Sequence, residues 1–182
     1  MNLLHIDSSI QGEASASRAL TAAAVARLKA TDPSASVTYR DLGKEPPPHL
    51  TLEGLGAANP MLDEFLAADV VVIGVPMYNF NISSQLKAWI DRILVAGRTF
   101  SYGDSGPQGL AGGKRVILAL TRGGQYAVGG PLEHAETYLR GVLAFIGITN
   151  PEVINADGLM MGDEVRAGAM AKALQYAETL AA

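Results

Sequence analysis

Short apolar runs alternate along this chain with longer segments whose apolar positions recur at helical spacing. The short runs are mostly leucine-rich or β-branched and predict five strands, at residues 2–6, 36–40, 70–74, 115–120 and 152–155. The intervening segments predict five helices, at residues 17–30, 59–67, 83–96, 131–145 and 163–180. This alternation predicts an α/β fold with a doubly wound, five-stranded parallel sheet and helices on both faces.

A long irregular connection, residues 42–60, lies between the second strand and the second helix. It contains Pro46, Pro47 and Pro48 and shows no hinge to a second domain. We interpret it as a loop and as a candidate cover for a site. With 182 residues and no internal repeat, the chain is predicted to form one domain over residues 1–182.

Charge and hydropathy narrow the function classes. The net charge is −4, with 18 acidic and 14 basic residues and no basic run, which argues against a nucleic-acid partner. The longest apolar run is far below the roughly 20 residues that a membrane helix needs. The first residues carry no export signal. We therefore expect a cytoplasmic protein with no membrane partner.

The cysteine and histidine content removes further classes of chemistry. The chain contains no cysteine, so it has no thiol nucleophile and no disulfide framework. Its histidines are His5, His49 and His134, and no two of them have metal-ligand spacing. We expect no metal site, and we interpret His5 as a structural residue of the first strand.

Three loops follow the carboxyl ends of predicted strands, where a doubly wound fold binds its ligand. The first loop, residues 7–18, is rich in hydroxyl groups, and Ser17 is predicted to cap the first helix. Ser9, Ser15 and Ser17 are candidate phosphate ligands beside the free helix amides, and Arg18 could add charge. Helix capping alone would also explain these serines. No Gly-Lys-Ser/Thr motif is present, which argues against ATP or GTP chemistry.

The second loop, residues 74–87, follows the third predicted strand. Met77, Tyr78 and Phe80 lie there outside any amphipathic period, and a flat apolar ring system would cover them if they are exposed. Asn79 could hydrogen-bond the polar edge of such a ring. The alternative is a core-packing loop with Phe80 turned inward.

The third loop, residues 120–126, follows the fourth predicted strand. Its paired glycines, Gly123 and Gly124, let a backbone approach a ligand closely, although a simple turn would also explain them. Together the three loops offer a phosphate cradle, an aromatic surface and a close backbone approach. These are the features that FMN requires.

The second loop, from Pro76 to Ser83 and then Gln85-Leu86-Lys87, resembles the signature of bacterial FMN-dependent NADH-azoreductases. The resemblance continues at residues 99–102, 121–124 and 145–148. It implies a flavodoxin-like homodimer with one noncovalent FMN per subunit and with sites at the dimer interface. It also implies NADH or NADPH as the electron donor, and quinones or azo compounds as small aromatic acceptors.

The resemblance further implies which residues form the site. The implied FMN contacts are Ser9, Ser15, Ala16, Ser17, Pro76, Met77, Tyr78, Asn79, Phe80, Thr121, Arg122, Gly123 and Gly124. The residues expected to line or support the acceptor pocket are Phe100, Tyr102, Tyr126 and Phe145. FMN carries the chemistry, so no side chain is assigned as essential. Tyr126 is a candidate proton donor, with simple packing as the alternative.

Two departures from the family pattern limit what the resemblance implies. The segment between the second and third strands, residues 42–68, is shorter than is usual in the family, and this region helps to shape the acceptor pocket. Residues 125–126 lie at a variable position near the pocket. The resemblance therefore names no single acceptor and does not choose between NADH and NADPH.

Two other protein classes share this topology. A flavodoxin-type electron carrier would bind FMN without oxidising NADH, and such carriers are usually monomeric and strongly acidic. The charge of −4 and the apolar third helix, with Trp89 and Ile93, favour an enzyme dimer. A phosphoacceptor receiver domain needs an acidic cluster at the strand ends, where we expect only Asp7.

Overall fold

The computed structural model describes residues 1–56, 58–104 and 106–181. The strands are β1 (Asn2–Asp7), β2 (Ser36–Asp41), β3 (Val70–Pro76), β4 (Phe100–Gly103), β5 (Gly106–Gly109), β6 (Arg115–Thr121) and β7 (Glu152–Ala156). The α-helices are α1 (Ala16–Thr31), α2 (Pro60–Ala67), α3 (Ser84–Ile93), α4 (Ala135–Phe145) and α5 (Asp163–Glu178). None of the described helices is long and apolar enough to span a bilayer.

The main sheet has five parallel strands in the order β2-β1-β3-β6-β7. In the centre of the sheet, Ile6 lies opposite Ile73, and Ile73 lies opposite Leu118. Strand β3 is buried over its whole length, as expected for a strand covered on both faces. The predicted doubly wound, five-stranded parallel sheet is therefore confirmed. Its chain order reverses between β1 and β3, which is where such folds bind ligands.

Helices cover both faces of this sheet. On one face α1 and α5 pack through Leu20, Leu28 and Ala173, and on the other α2, α3 and α4 pack around Phe65 and Trp89. The rings of Phe65 and Trp89 meet edge to face at 5.9 Å. Each face thus buries its own apolar cluster, and the sheet is held from both sides.

The apolar stripe of α3 lies inside the chain. Trp89 and Ile93 are each only 1% exposed, because both pack in the core cluster between α3 and the sheet. Their burial therefore removes the support that these two residues gave to an enzyme dimer, which stays a prediction. An amphipathic pattern does not distinguish a helix face covered by its own sheet from one covered by a second chain.

Helices α3 and α4 are each four residues shorter than predicted. Helix α3 ends at Ile93 because the Thr99 hydroxyl donates to the Ile93 carbonyl at 2.7 Å and accepts from the Val95 amide at 3.0 Å. Helix α4 begins at Ala135 and not at residue 131. There the Glu133 carboxylate accepts hydrogen bonds from the Glu136 and Thr137 amides and so satisfies the first turn.

The connection at residues 42–60 packs partly beside α3. The Pro48 carbonyl accepts a hydrogen bond of 2.8 Å from the Arg92 guanidinium. Leu50 and Leu55 line a groove of about 580 Å³ together with residues of α2 and α3. This part of the connection therefore borders a groove that it forms with α2 and α3.

Strands β4 and β5 form an antiparallel hairpin that the sequence reading did not predict. Phe100 pairs with Gly109 at its base. A Cβ built on Gly109 would overlap the backbone of Ile146 and Gly147 at the end of α4. The absence of a side chain at Gly109 is thus what seats the hairpin against α4.

We expect Gly109→Ala to lower the free energy of unfolding by about 2 kcal/mol or more, because the new methyl group meets backbone that cannot rotate away. Gly103→Ala is the matched control in the same hairpin, since a Cβ there would meet no described atom within 4 Å. Urea denaturation of both variants measures the difference. Equal stabilities would contradict the close approach of the hairpin to α4.

Candidate functional site

The three predicted loops meet at the carboxyl edge of the sheet. They enclose a cavity of about 150 Å³. The predicted site residues that line it are Ser15, Ala16, Pro76, Met77, Tyr78, Thr121, Arg122 and Gly123. The other predicted cofactor contacts, Ser9, Ser17, Asn79, Phe80 and Gly124, lie on the same loops but are not part of its lining.

The first loop ends in the cap of α1. Ser15 has an extended backbone, and its hydroxyl accepts from the Arg18 amide at 3.3 Å. The Ser15 and Ser17 hydroxyls are 3.1 Å apart. The prediction of Ser17 as the N-cap was therefore wrong by two residues, because the helix already begins at Ala16. Two buried hydroxyls and the free amides of the first helical turn remain together at this end of the cavity.

Arg18 fixes the first loop to β2. Its guanidinium donates to the Asp41 carboxylate at 2.7 Å, to the Tyr39 hydroxyl at 3.0 Å and to the Ser9 carbonyl at 3.1 Å. The hydrogen bond from Arg18 lowers the pKa of Asp41. The charge of Arg18 is thus already paired, and its observed role is structural where the sequence suggested a contact with phosphate.

Asp7 is a buried carboxylate below the first loop. It accepts from the Thr21 hydroxyl at 2.8 Å and from the Tyr39 hydroxyl at 3.0 Å. Burial raises its pKa, but the contacts with His5, Thr21 and Tyr39 outweigh burial, so the pKa lies below its ordinary value. Burial and the Asp7 carboxylate in turn raise the pKa of Tyr39 to about 12.

Asp41 gives the strand ends a second carboxylate beside Asp7, where the sequence reading expected Asp7 alone. Arg18 lies between them, 3.7 Å from Asp7 and hydrogen-bonded to Asp41. Within the described part of the chain, no three His, Cys, Asp or Glu side chains are grouped so that they could hold a metal ion. The guanidinium of Arg18 therefore offsets part of the negative charge of this acidic pair.

The second loop makes a two-residue turn. The Met77 amide donates to the Thr121 carbonyl at 2.8 Å, which continues the pairing of β3 with β6. Tyr78 and Asn81 then exchange backbone hydrogen bonds of 2.8 and 3.0 Å. Between them, Asn79 and Phe80 have φ values of +48° and +69°. Such a turn prefers Asn-Gly, so a phenylalanine at its second central position is strained.

Phe80 points outward from this turn. Its side chain is 41% exposed and meets the Tyr126 ring edge to face at 5.9 Å. The Phe80 carbonyl accepts from the His134 amide at 3.1 Å, which ties the turn to the start of α4. The inward-packing alternative was therefore wrong. Backbone strain of this kind persists where the surroundings over-determine it, and it clusters at ligand sites.

Tyr78 joins the first and second loops. Its hydroxyl lies 3.1 Å from the Ser9 hydroxyl and accepts from the Ile10 amide at 3.3 Å. Met77 and Tyr78 also line a second, more open space of about 730 Å³ between the starts of α3 and α4. These two residues are therefore a wall shared by both spaces.

The third loop is crossed by the loop that follows β7, residues 157–162, which we call the β7 loop. The Met160 amide donates to the Gly123 carbonyl and the Gly158 amide to the Gly124 carbonyl, each at 2.9 Å. A Cβ on Gly123 would lie 3.0 Å from the Met160 sulfur. The absence of a side chain at Gly123 thus admits the β7 loop, which sequence reasoning did not consider.

The sequence reading missed four residues of the cavity lining, namely Gln11, Leu159, Met160 and Arg166. Three of them follow β7. A usable signal was present, because β7 ends at the same edge of the sheet as β1, β3 and β6. The loop after the last strand therefore merited the same attention as the other three.

Arg122 is a buried centre of charge beside the third loop. Its guanidinium donates to Asn155 at 2.8 Å, to Glu136 at 2.9 Å and to Asp157 at 3.0 Å, and Glu133 lies 3.4 Å away. Burial lowers its pKa, but the hydrogen bonds to these carboxylates raise it further, so the net shift is upward. The side chain thus locks the third loop to α4 and to the β7 loop.

The four predicted acceptor-pocket residues fall into two groups within one chain. Phe100 packs with Tyr102 and Phe145, at ring distances of 5.6 and 4.7 Å. Tyr126 instead packs with Phe80. The first group is carried by the hairpin and the end of α4, and the second by the third and second loops.

Comparison with known proteins extends this description. A sequence model for the family described as having a flavodoxin-like fold matches residues 1–180. The chain is 56% identical to the FMN-dependent NADH:quinone oxidoreductase of Methylorubrum populi, with all of both chains covered. It is also 56% identical to FMN-dependent NADH:quinone oxidoreductase 2 of Bradyrhizobium diazoefficiens, again over the whole of both chains.

Solved structures are similar over almost the whole chain. An azoreductase from Bacillus anthracis matches with a TM-score of 0.86 and 28% identity, covering 99% of this chain and all of that one. An FMN-dependent NADH-azoreductase from the same species, solved in complex with FMN, shares the fold with a TM-score of 0.84 and 24% identity, and all of both chains is covered.

The alignments also bear on length. The 182 residues of this chain align over 202 positions with the Methylorubrum populi relative. That relative therefore carries residues with no counterpart here. Their location in the segment between β2 and β3 stays a prediction.

Two substitutions at Phe80 measure the strain in the turn. Phe80→Gly and Phe80→Ala remove the same ring, but only glycine adopts positive φ without cost, so the glycine variant should be more stable by about 1 kcal/mol. At exposed Val128, which has no positive φ, alanine should be the more stable of the same pair. Urea denaturation of the four variants reports the difference, and an alanine advantage at position 80 would contradict a strained turn.

Arg122→Met should lower the free energy of unfolding by about 3 kcal/mol or more, because it leaves the carboxylates of Glu133 and Glu136 without their buried partner. Arg98→Met is the matched control, since Arg98 pairs with Asp63 at the surface and should change stability by about 0.5 kcal/mol or less. Thermal and urea denaturation test both. Similar losses in the two variants would show that the buried cluster has no special role.

Proposed function

Because this chain belongs to the family of FMN-dependent NADH:quinone oxidoreductases, with a flavodoxin-like fold, we propose that it is itself such an enzyme. It binds FMN noncovalently and uses NADH or NADPH to reduce quinones, azo compounds or both. The strained turn at Asn79–Phe80 carries this proposal from the structure. In a protein with no ligand at this edge, glycine at position 80 would remove the backbone strain. A phenylalanine in that position therefore indicates a ligand site.

The residues at the cavity suit FMN. Ser15, Ser17 and the amides at the start of α1 would hold the phosphate, with Ser9 held nearby by Tyr78. The cavity alone is smaller than the roughly 300 Å³ or more typical of cofactor sites. Met77 and Tyr78 line both this cavity and the larger open space. A flat ring packed against these two residues would therefore border both spaces.

The other proposed contacts complete the site. Pro76 to Phe80 would meet the ring face, and Thr121 to Gly124 would meet its polar edge with backbone groups. Arg122 would help in two ways. Its paired guanidinium holds the third loop in place, and its Nε is a buried donor with no hydrogen-bond partner among the described residues. A buried unsatisfied donor beside a cavity is a natural contact for a polar ring edge.

When bound, FMN supplies hydride acceptance from the nicotinamide and two-electron transfer to the acceptor. The chain's residues position the two substrates and exclude water. Donor and acceptor would use the same place in turn, which gives ping-pong kinetics. No side chain is essential in this scheme. Tyr126, whose hydroxyl lies at the third loop beside Gly124, is the proposed proton donor to the reduced acceptor.

We also propose a homodimer. Ile10, Val128 and Leu132 are exposed apolar side chains on or near the three loops, and Phe80 joins them. A second subunit would cover these side chains. It would also bring the aromatic group of Phe100, Tyr102 and Phe145 to the Tyr126 side of the pocket, which one chain alone does not do. Each subunit would be one FMN-binding domain of residues 1–182, and the dimer would work in the cytoplasm.

A visible spectrum of the purified protein tests this function. We expect bound flavin absorption that bleaches with NADH or NADPH and returns with benzoquinone or an azo dye. Bound flavin that neither nucleotide can bleach would assign an electron carrier instead. Protein that takes up no flavin from added FMN would overturn the proposal.

A further inference from the structure

Arg166 lies near the start of α5 and lines the same cavity as Ser15 and Ala16. The arrangement follows from the fold. Helices α1 and α5 pack side by side on one face of the sheet, through residues such as Leu28 and Ala173. Their first turns therefore lie next to each other at the carboxyl edge.

Arg166 differs from the other two arginines at this site in its pairing. Arg18 is bonded to Asp41, and Arg122 is bonded to Glu136 and Asp157. The Arg166 side chain makes no ion pair and no side-chain hydrogen bond within residues 1–56, 58–104 and 106–181, and it is exposed. It is therefore the cavity-lining guanidinium whose charge the fold leaves available.

The surroundings of Arg166 favour an anion. Ser15 and Ala16, at the start of α1, line the cavity with it, and the Ser17 hydroxyl lies 3.1 Å from the Ser15 hydroxyl. These groups suit a phosphate, and a guanidinium adds paired donors and a full positive charge to them. Among the described residues no carboxylate lines this cavity, and Asp163 and Glu164 in the first turn of α5 are not part of its lining.

We propose that Arg166 is a phosphate-binding residue of this site. The inference rests on the proposed function and adds a contact to it. The phosphate belongs either to FMN or to the nicotinamide donor, and the chemistry recognised is the same. Arg166 would then set the preference of the site for phosphorylated over unphosphorylated ligands.

The test compares the full-length wild type with Arg166→Gln and Lys172→Gln. Both substitutions remove one exposed positive charge from α5, but Lys172 does not line this cavity. FMN and riboflavin are titrated into each flavin-free protein at low and high salt, and binding is followed by flavin fluorescence. KM values for NADH and NADPH are then measured on the FMN-loaded proteins.

If Arg166 binds the FMN phosphate, Arg166→Gln should bind FMN about tenfold more weakly. Its riboflavin affinity should match wild type, and its FMN affinity should depend less on salt. If Arg166 binds the donor phosphate, FMN affinity should be unchanged and KM for the nucleotide should rise about tenfold. Lys172→Gln should match wild type in every titration.

Two results would overturn the inference. In one, Arg166→Gln matches wild type for FMN, riboflavin and both nucleotides. In the other, it loses FMN and riboflavin equally, which would assign a structural effect on the ring pocket. A wild-type protein that binds no FMN would instead overturn the proposed function itself, so the two failures are distinct.

Discussion

Parallel pairing brings the carboxyl ends of β1, β3, β6 and β7 to one edge of the sheet, and the site depends on this constraint. The loop that follows each strand therefore lies over that edge. Hydrogen bonds then join the loops to one another. They connect Met77 with Thr121, Tyr78 with Ser9, and the β7 loop with the third loop. The site is therefore an extension of the sheet's own hydrogen bonding.

Two arginines complete this construction, Arg122 fully buried and Arg18 partly buried. Arg18 holds the first loop against β2, and Arg122 holds the third loop against α4 and the β7 loop. A guanidinium suits both places because it offers five donors in a fixed plane and can serve several acceptors at once. Each arginine also offsets part of the charge of the carboxylates around it, which would otherwise repel a phosphorylated ligand more strongly. The same two side chains thus hold the loops in place and reduce the negative charge beneath them.

Local pattern predicted the five strands of the main sheet, because buried runs such as residues 70–74 have few other uses. It also placed three loops at the right edge. It failed where partners are distant in sequence. Nothing near Arg18 or Arg122 in the sequence indicates a pairing with Asp41 or Asp157, so the ion pairs that hold the first and third loops were not predicted. The hairpin was missed because its strands, rich in glycine, show no clear alternation.

The turn at Asn79–Phe80 has a consequence for how this protein meets its ligand. Its unfavourable backbone is held by hydrogen bonds from within the chain, made by Tyr78, Asn81 and His134. Ligand binding would therefore require little additional ordering of this segment, and little conformational entropy would be lost. Selection for stability would favour glycine at position 80, whereas selection for ligand binding would favour an aromatic residue there. The residue found at this position in a related protein would thus indicate whether stability or ligand binding has been selected more strongly.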